Sequence, residues 1–462
     1  MGRIGCFKSY DVRGRLGETL DDGVAWAIGR GFAEALAPGL VVTGRDVRAS
    51  SPGLQGALIE GLRAGGADVI DIGLCGTEEV YFATEHFGAG GGIMVTASHN
   101  PIDYNGMKLV GPGATPLSSE QGLGAVQAAA ERAGELASAP ERGALRREDP
   151  RAAFVARCLS FVDAARLKPL NILVNAGNGA AGPTFDALAE GLAAAGAPLA
   201  FERMWHAPDP EFPNGIPNPL LPEQQPATAD AVRAAGADFG VAWDGDFDRC
   251  FFFDETGAFV PGEYVVGLLA GAFLDKAPGA KIVHDPRVVL NTRAVIAAAG
   301  GEAVVSRTGH AHLKAKMREV DAVYGGEMSA HHYFRDFMYC DSGMIPWLMV
   351  AEYVSTTGRA LGDLVAGARA AYPSSGEINF RLAEPEAARA AFEARYVAQA
   401  LDVDRLDGLS LTFQGWRANL RASNTEPVLR LNVEAEGDAG LVAEKVAEIG
   451  ALIADAGGAG VA

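Results

Sequence analysis

Ile93-Met94-Val95-Thr96-Ala97-Ser98-His99-Asn100-Pro101 is the stretch on which the fold turns. The apolar run Ile93-Met94-Val95 reads as a buried strand of a parallel sheet and Asn100-Pro101 as a turn, which sets Ser98 at the strand's carboxyl end. Open α/β sheets keep their chemistry at that edge. A serine hydroxyl does covalent work only when it is activated or carries a preset phosphoryl group. His99 beside it and Lys108 downstream bring a proton handler and positive charge to the same neighbourhood. A serine that merely caps a turn through its own backbone fits the same residues, so the flanking sequence has to decide.

That sequence alternates. Helical periodicity over Asp22–Leu36, a strand at Leu40–Thr43, a helix at Ser51–Ala64 and a strand at Asp68–Ile72 make β-α-β units. A further helix opens after Gly76-Thr77, with Glu78 and Glu79 in its first turn at the positive end of the helix dipole. Phe7 to Gly14 reads as a loop that ends near a site. An alanine-rich helix from Gly122 to about Ala137 gives way to Pro140-Glu141-Arg142-Gly143, which closes a first α/β domain, residues 1–150.

A helix at Arg151 to Ala165 starts a second α/β domain, 151–255. Its strand Asn171–Asn175 runs into the turn Gly177-Asn178-Gly179-Ala180-Ala181-Gly182-Pro183, read as structural although such turns can cradle phosphate, and Phe212 to Pro219 is an irregular Pro-rich loop. Strand Phe239–Trp243 then ends in Asp244-Gly245-Asp246-Phe247-Asp248-Arg249. Three alternating carboxylates at the end of a buried strand call for a bound cation, and hard oxygen ligands point to Mg²⁺. An EF-hand would use Asp244, Asp246, Asp248 and Glu255, but it needs glycine where Arg249 stands, and Phe251-Phe252-Phe253 is strand-like.

The architecture repeats over 256–366, with a helix at Tyr264–Lys276 and strands at Lys281–His284 and Ala322–Tyr324. Glu327 and Ser329 in the loop after the last strand are suited to reading sugar hydroxyls, and His331 to proton transfer near neutral pH. Residues 367–462 change character to an α+β domain. It has a helix at Leu361–Ala371 leading in, strands at Ile378–Leu382 and Ser410–Phe413 paired in sequence, and a helix from Gly440. The turn Arg421-Ala422-Ser423-Asn424-Thr425 collects a guanidinium fork, two hydroxyls and an amide, a composition that binds phosphate.

Composition narrows the rest. A chain of 462 residues with 48% hydrophobic content is too long for one core and supports three or four. A net charge of -19 argues against nucleic acid or an anionic membrane as partner, though not against a small anion held by local arginines. The five scattered cysteines read as free thiols. No membrane-spanning run and no leader pattern after Met1 are seen, so a cytoplasmic protein, monomer or dimer, is expected.

Five stretches together resemble one family, the α-D-phosphohexomutases: Tyr10-Asp11-Val12-Arg13-Gly14, Thr96 to Pro101, Asp244 to Arg249, Gly326-Glu327-Met328-Ser329 and Arg421 to Thr425, in the family's order. The resemblance implies three similar α/β domains with mixed sheets plus a C-terminal α+β domain around a central cleft. It implies Ser98 as phosphoserine, Mg²⁺, one per chain, held by Ser98, Asp244, Asp246 and Asp248, and Lys108 and His331 as the acid/base pair. Arg13, His99 and Arg249 then support catalysis. Tyr10, Arg287 and His310 contact substrate, Glu327 and Ser329 the sugar, and Arg421, Ser423, Asn424 and Thr425 its non-transferring phosphate. The implied reaction interconverts hexose 6-phosphates and 1-phosphates through a hexose 1,6-bisphosphate, which also serves as activator. Mannose phosphates, feeding GDP-mannose synthesis, are the leading substrates, with glucose phosphates accepted and a glucose- or glucosamine-phosphate mutase as the rival reading. A phosphatase would not need the Arg421 turn, and a sugar-phosphate binding protein would not need Ser98 and the aspartates. The chain departs from the family pattern at Phe247, where glycine is usual; a phenylalanine disfavours positive φ and puts the loop's conformation in question.

Overall fold

The computed structural model describes residues 3–119, 121–382, 385–422 and 428–460. They group into two compact units, one running to Phe259 and including His331–Gly358, the other made of Val260–Ala330 and the chain from Arg359.

The first unit holds the Ser98 strand, Gly91–Val95, inside a six-stranded mixed sheet. It runs parallel to Leu40–Arg45 and antiparallel to Tyr104–Val110, and all five of its residues are buried. The continuous apolar run reflects that two-sided cover. The expected helices Asp22–Leu36 and Ser51–Ala64 are present, the first capped by Asp21, whose side chain accepts from Val24 N at 2.8 Å. They approach so closely that a Cβ on Gly61 would stand 2.0 Å from the Trp26 carbonyl oxygen, and one on Gly29 2.2 Å from that of Leu58.

Three local expectations are corrected in this unit. Part of the expected Phe7–Gly14 loop is strand: Val12–Arg15 pairs antiparallel with Tyr104–Val110, with Val12 and Gly14 buried and the two arginines on the other face. The alanine-rich helix covers only Leu123–Glu131, followed by a separate turn Ala133–Glu135 that contains Gly134, a poor helix residue. The helix from Arg151 ends at Leu159, because Asp163 starts a new turn by accepting from Ala165 N at 3.0 Å.

The second sheet of this unit aligns Leu199–Met204, Leu170–Asn175 and Phe239–Trp243 in parallel, with Cys250–Asp254 antiparallel beyond them. Trp243 pairs with Cys250, so Asp244 to Arg249 is the loop of a hairpin at the carboxyl end of a buried strand. Phe247 takes φ 45° in that loop despite being phenylalanine, with its side chain fully buried. Its ring fills the space beside Gly76, where a Cβ would lie 2.2 Å from Phe247 Cζ. A left-handed residue costs about 1–2 kcal/mol and burying such a ring returns about 1.5–3 kcal/mol, so packing overrides the backbone preference.

In the second unit Lys281–His284 lies parallel to both Glu302–Val305 and Tyr324–Gly326. The last strand thus starts at Tyr324 rather than Ala322, and its end leads straight to Glu327. The C-terminal sheet runs Asp402–Asp404, Leu409–Phe413, Trp416–Ala422, Val428–Ala435, Ile378–Leu382, Gly458–Gly460. Sequential pairing holds for four of these strands. Ile378–Leu382 instead pairs with Val428–Ala435 and Gly458–Gly460, because helices Pro385–Tyr396 and Ala439–Asp455 carry the chain across a shared apolar core. No helix among the described residues is long and apolar enough to cross a membrane, and all five cysteines are buried free thiols.

Gly61→Ala should lower stability by about 1–3 kcal/mol, since its methyl meets a backbone carbonyl that has nowhere to go. The exposed Gly56→Ala in the same helix should instead raise it by up to about 1 kcal/mol. Urea midpoints at unchanged m-value measure both.

Candidate active site

Ser98 stands where its strand breaks, in the left-handed region at φ 49°. Its backbone N–H donates to Thr96 Oγ1 at 2.8 Å, and its Oγ donates to Asp244 Oδ2 at 2.6 Å and lies 3.0 Å from His99 Nδ1. The loop of the second sheet therefore meets the loop of the first at the serine oxygen. Gly245 makes this approach possible, because a Cβ there would fall 2.7 Å from the Ser98 carbonyl oxygen.

Asp244, Asp246 and Asp248 are buried and present carboxylate oxygens all within 4.8 Å of one another. Arg249 donates from Nη2 to Asp244 at 2.7 Å. Lys108, on strand Tyr104–Val110, donates to Asp246 at 2.8 Å and also to Asp248. Burial pushes Asp244 and Asp246 up, but Arg249 beside the first and Lys108 beside the second hold both below the usual carboxylate range. Asp248 goes the other way, raised by burial and by Asp246. Arg249, aided by burial, lowers His99 to about 4 in spite of Asp244, so its imidazole is neutral at physiological pH. Asp244 Oδ1 and Asp246 Oδ1 are buried with no hydrogen-bond partner. Crowded hard oxygens with unused lone pairs fit a divalent cation, and this cluster can bind one.

Arg13 donates to the Thr96 carbonyl at 2.6 Å and pairs with Asp11 at 2.8 Å, while Tyr10 lies half-buried in the turn ahead of that strand. His331 Nδ1 is 2.9 Å from Asp341 and 4.0 Å from Asp248. Two contributors were not legible in advance. Thr77 donates from Oγ1 to Asp246 Oδ2 at 2.6 Å, and Asp341 backs His331. Thr77 approaches from a helix distant in sequence and Asp341 from the strand that pairs with Tyr333 and Phe334, and a lone Thr or Asp carries no motif. Glu78 and Glu79 stand in the first turn of helix Thr77–His86, as expected, and both are buried. Glu78 accepts from Gly343 N and Met344 N at 3.1 Å, and Glu79 from Gly76 N at 2.9 Å and Thr184 Oγ1 at 3.0 Å, so the pair ties this helix to its neighbours.

The second unit gathers the remaining residues. Arg287 forks onto Asp285 Oδ2 at 2.6 and 3.0 Å, stands 3.8 Å from Glu327, and reaches Glu377 at 3.4 Å. Glu377 also accepts from Arg421 at 2.7 Å, with Arg430 3.7 Å away. Burial raises Glu377, but Arg287 and Arg421 together draw it below its ordinary range. Buried Glu327 accepts from Gly309 N at 2.8 Å, which brings it to the start of helix His310–Val320 and so to His310, while Ser329 is half-buried two residues on. Glu377 is the residue here that sequence reading missed. Ser423, Asn424 and Thr425 lie outside the described residues.

All four segments match models of one family. They are the phosphoglucomutase/phosphomannomutase alpha/beta/alpha domain I over residues 5–135, domain II over 152–257, domain III over 261–372 and the C-terminal domain over 377–451. The chain belongs to the phosphoglucomutase/phosphomannomutase family. It is 57% identical to a phosphomannomutase of Salmonella montevideo over 97% of this chain and 99% of that one. It is 55% identical to a phosphomannomutase of Escherichia coli K12 over 96% and 97%, and 56% identical to Xanthomonas campestris phosphohexose mutases over 97% and 98%. Among solved structures, a phosphoglucomutase/phosphomannomutase family protein from Burkholderia thailandensis superposes with TM-score 0.87 at 32% identity, covering 99% of this chain and 98% of that one. Membership of the family makes this chain an isomerase of carbohydrate metabolism that works by phosphoryl transfer.

If the cluster holds Mg²⁺, Asp246→Asn should weaken its binding by about tenfold or more, since one of the three clustered carboxylates becomes neutral. Calorimetric titration of the purified variant, with an unchanged far-UV spectrum, checks this.

Proposed function

We propose that the chain is a phosphomannomutase, interconverting mannose 6-phosphate and mannose 1-phosphate in the cytoplasm, with Ser98 as the phosphoryl carrier and glucose phosphates as further substrates. The observation that carries this reading is the contact of Ser98 Oγ with Asp244 at 2.6 Å inside a cluster of three buried carboxylates. A hydroxyl–carboxylate contact would be ordinary elsewhere; here the carboxylates are three, crowded, and keep Asp244 Oδ1 and Asp246 Oδ1 without a hydrogen-bond partner, which suits a cation shared with a phosphorylated serine. Relatives more than half identical over nearly their full length carry the name phosphomannomutase.

In this reading Asp244, Asp246, Asp248 and the phosphoserine would hold one Mg²⁺, whose positive charge would stabilise the transferring phosphoryl group. Phosphoserine 98 donates that group to the free hydroxyl of the hexose phosphate, giving a hexose 1,6-bisphosphate. The bisphosphate reorients and returns its other phosphoryl group to Ser98. Added 1,6-bisphosphate acts as activator by restoring phosphoserine. Arg249 and Arg13 keep the loops in place, and Lys108 and His331 move the proton of the attacking and leaving hydroxyl. Lys108 supports its role by sitting among the ligands, and His331 by the carboxylate of Asp341 behind it. Glu327 and Ser329 read the C3 and C4 hydroxyls, which exchange places on reorientation. Arg287, His310 and Tyr10 contact substrate, and Arg421 with Ser423, Asn424 and Thr425 holds the phosphate that is not being transferred.

A coupled assay of mannose 1-phosphate against glucose 1-phosphate, with bisphosphate activator and Mg²⁺, tests the reading. Mannose and glucose differ at C2, which Glu327 and Ser329 leave unread, so the two kcat/KM values should fall within about a hundredfold of each other, far short of the discrimination that a dedicated hydroxyl contact achieves. Glu327→Ala should depress both activities alike. Ser98→Ala should lose about a thousandfold or more of turnover, because no other group carries the phosphoryl between half-reactions. Near-normal turnover in that variant would sink the assignment.

A further inference from the structure

Arg48 has no part in the roles above, and no motif drew attention to it. It follows strand Leu40–Arg45 and is 1% exposed. Its guanidinium spends four N–H donors on carbonyls of a single loop. Nη2 donates to Ser98 O at 2.9 Å and Asn100 O at 2.5 Å, and Nη1 to Pro101 O at 2.9 Å and Tyr104 O at 3.1 Å. The ring of Phe212 lies 5.8 Å from the guanidinium carbon.

Asp46 completes the arrangement. It is 1% exposed, stands 3.5 Å from Arg48 Nε, and accepts from Arg48 N at 3.0 Å and Ser51 Oγ at 2.5 Å. Its other oxygen accepts from Ala97 N at 3.3 Å, just ahead of Ser98. The pair therefore holds the chain on both sides of Ser98, by an N–H before it and by carbonyls from it onward.

Ser98 needs such a hold. A serine at φ 49° occupies a conformation that L residues avoid, and it persists only where the surroundings over-determine it. In that conformation Oγ reaches Asp244; let the peptide relax to negative φ, and the side chain swings away from the carboxylates. Guanidinium is the one side-chain group that can satisfy this loop, because it presents its donors in a planar fork, whereas an ammonium radiates three from a point.

We propose that Arg48, braced by Asp46, is a positioning residue for phosphoryl transfer, holding Ser98 in the left-handed conformation that aims its oxygen at Asp244. The proposal rests on the reading of Ser98 as phosphoryl carrier. Arg48 is buried and donates to backbone carbonyls rather than to the three aspartates, so its loss should fall on the chemical step and leave substrate binding, and cation binding by the unphosphorylated enzyme, intact.

The test uses full-length Arg48→Lys and Arg48→Ala enzymes. Arg48→Lys, which keeps the charge but loses the fork, should lower kcat about a hundredfold, the scale of an ångström's misplacement of a reacting atom. KM for mannose 1-phosphate and the Mg²⁺ dissociation constant of the unphosphorylated enzyme should stay at wild-type values. Arg48→Ala should lose as much and regain part of its kcat with millimolar guanidinium but not with ammonium. Intact-mass kinetics should show slowed phosphorylation of Ser98 by hexose 1,6-bisphosphate in both. Wild-type kcat in Arg48→Lys would overturn the proposal, as would a loss of kcat accompanied by an equal loss of Mg²⁺ affinity and no response to guanidinium. If Arg48→Ala does not fold, Arg48→Lys decides alone. Failure of the underlying reading would show separately, as turnover by Ser98→Ala.

Discussion

Three carboxylates forced together out of water are the constraint around which the first unit is built. Asp244, Asp246 and Asp248 sit on one hairpin loop, and every neighbouring element answers their charge or hydrogen-bonding needs. Arg249 comes from the same loop, Lys108 from the adjoining strand of the other sheet, and Thr77 from a helix start. Buried like charges are tolerable only when paired or when they hold a cation. The result is a set of oxygens kept anionic or nearly so, which the Ser98 hydroxyl faces.

The second unit handles charge in the opposite sense. Arg287 and Arg421 are both buried, and both lean on Glu377, while Asp285 takes up the rest of the Arg287 fork. Arginines stored in this way are desolvated and oriented before any ligand arrives. An anion that displaces or joins the carboxylates meets guanidinium groups that no longer have to be ordered, which is how preorganisation lowers the cost of binding. A chain with a net charge of -19 needs such local assembly if it is to hold a phosphate at all.

Phe247 shows where local rules lose to packing. Taken alone, a phenylalanine in that loop argues against positive φ, yet the residue takes φ 45° because its ring closes the gap over Gly76. Tertiary pairing likewise turned part of an expected loop into strand Val12–Arg15, whose backbone found a partner edge on Tyr104–Val110. The alanine-rich helix, by contrast, stops at Glu131 ahead of Gly134, where a local rule prevails.

The sequence by itself determined the parts whose signal is local and repeated. Apolar runs with helical stretches between them announced the layered sheets, and Thr96 to Pro101, Asp244 to Arg249 and Arg421 to Thr425 marked the candidate nucleophile, cation and anion stretches through residue types packed into a few positions. Only the tertiary structure decided what joins those loops. Thr77 acts through a single side chain delivered from a distant helix, and Asp341 reaches His331 only because its strand pairs back beside it. Glu377 stands far in sequence from Arg287, and Arg48 reaches four carbonyls that carry no side-chain identity at all. A backbone acceptor looks the same under every residue, so its partner is set by three-dimensional proximity and leaves no trace in composition or spacing.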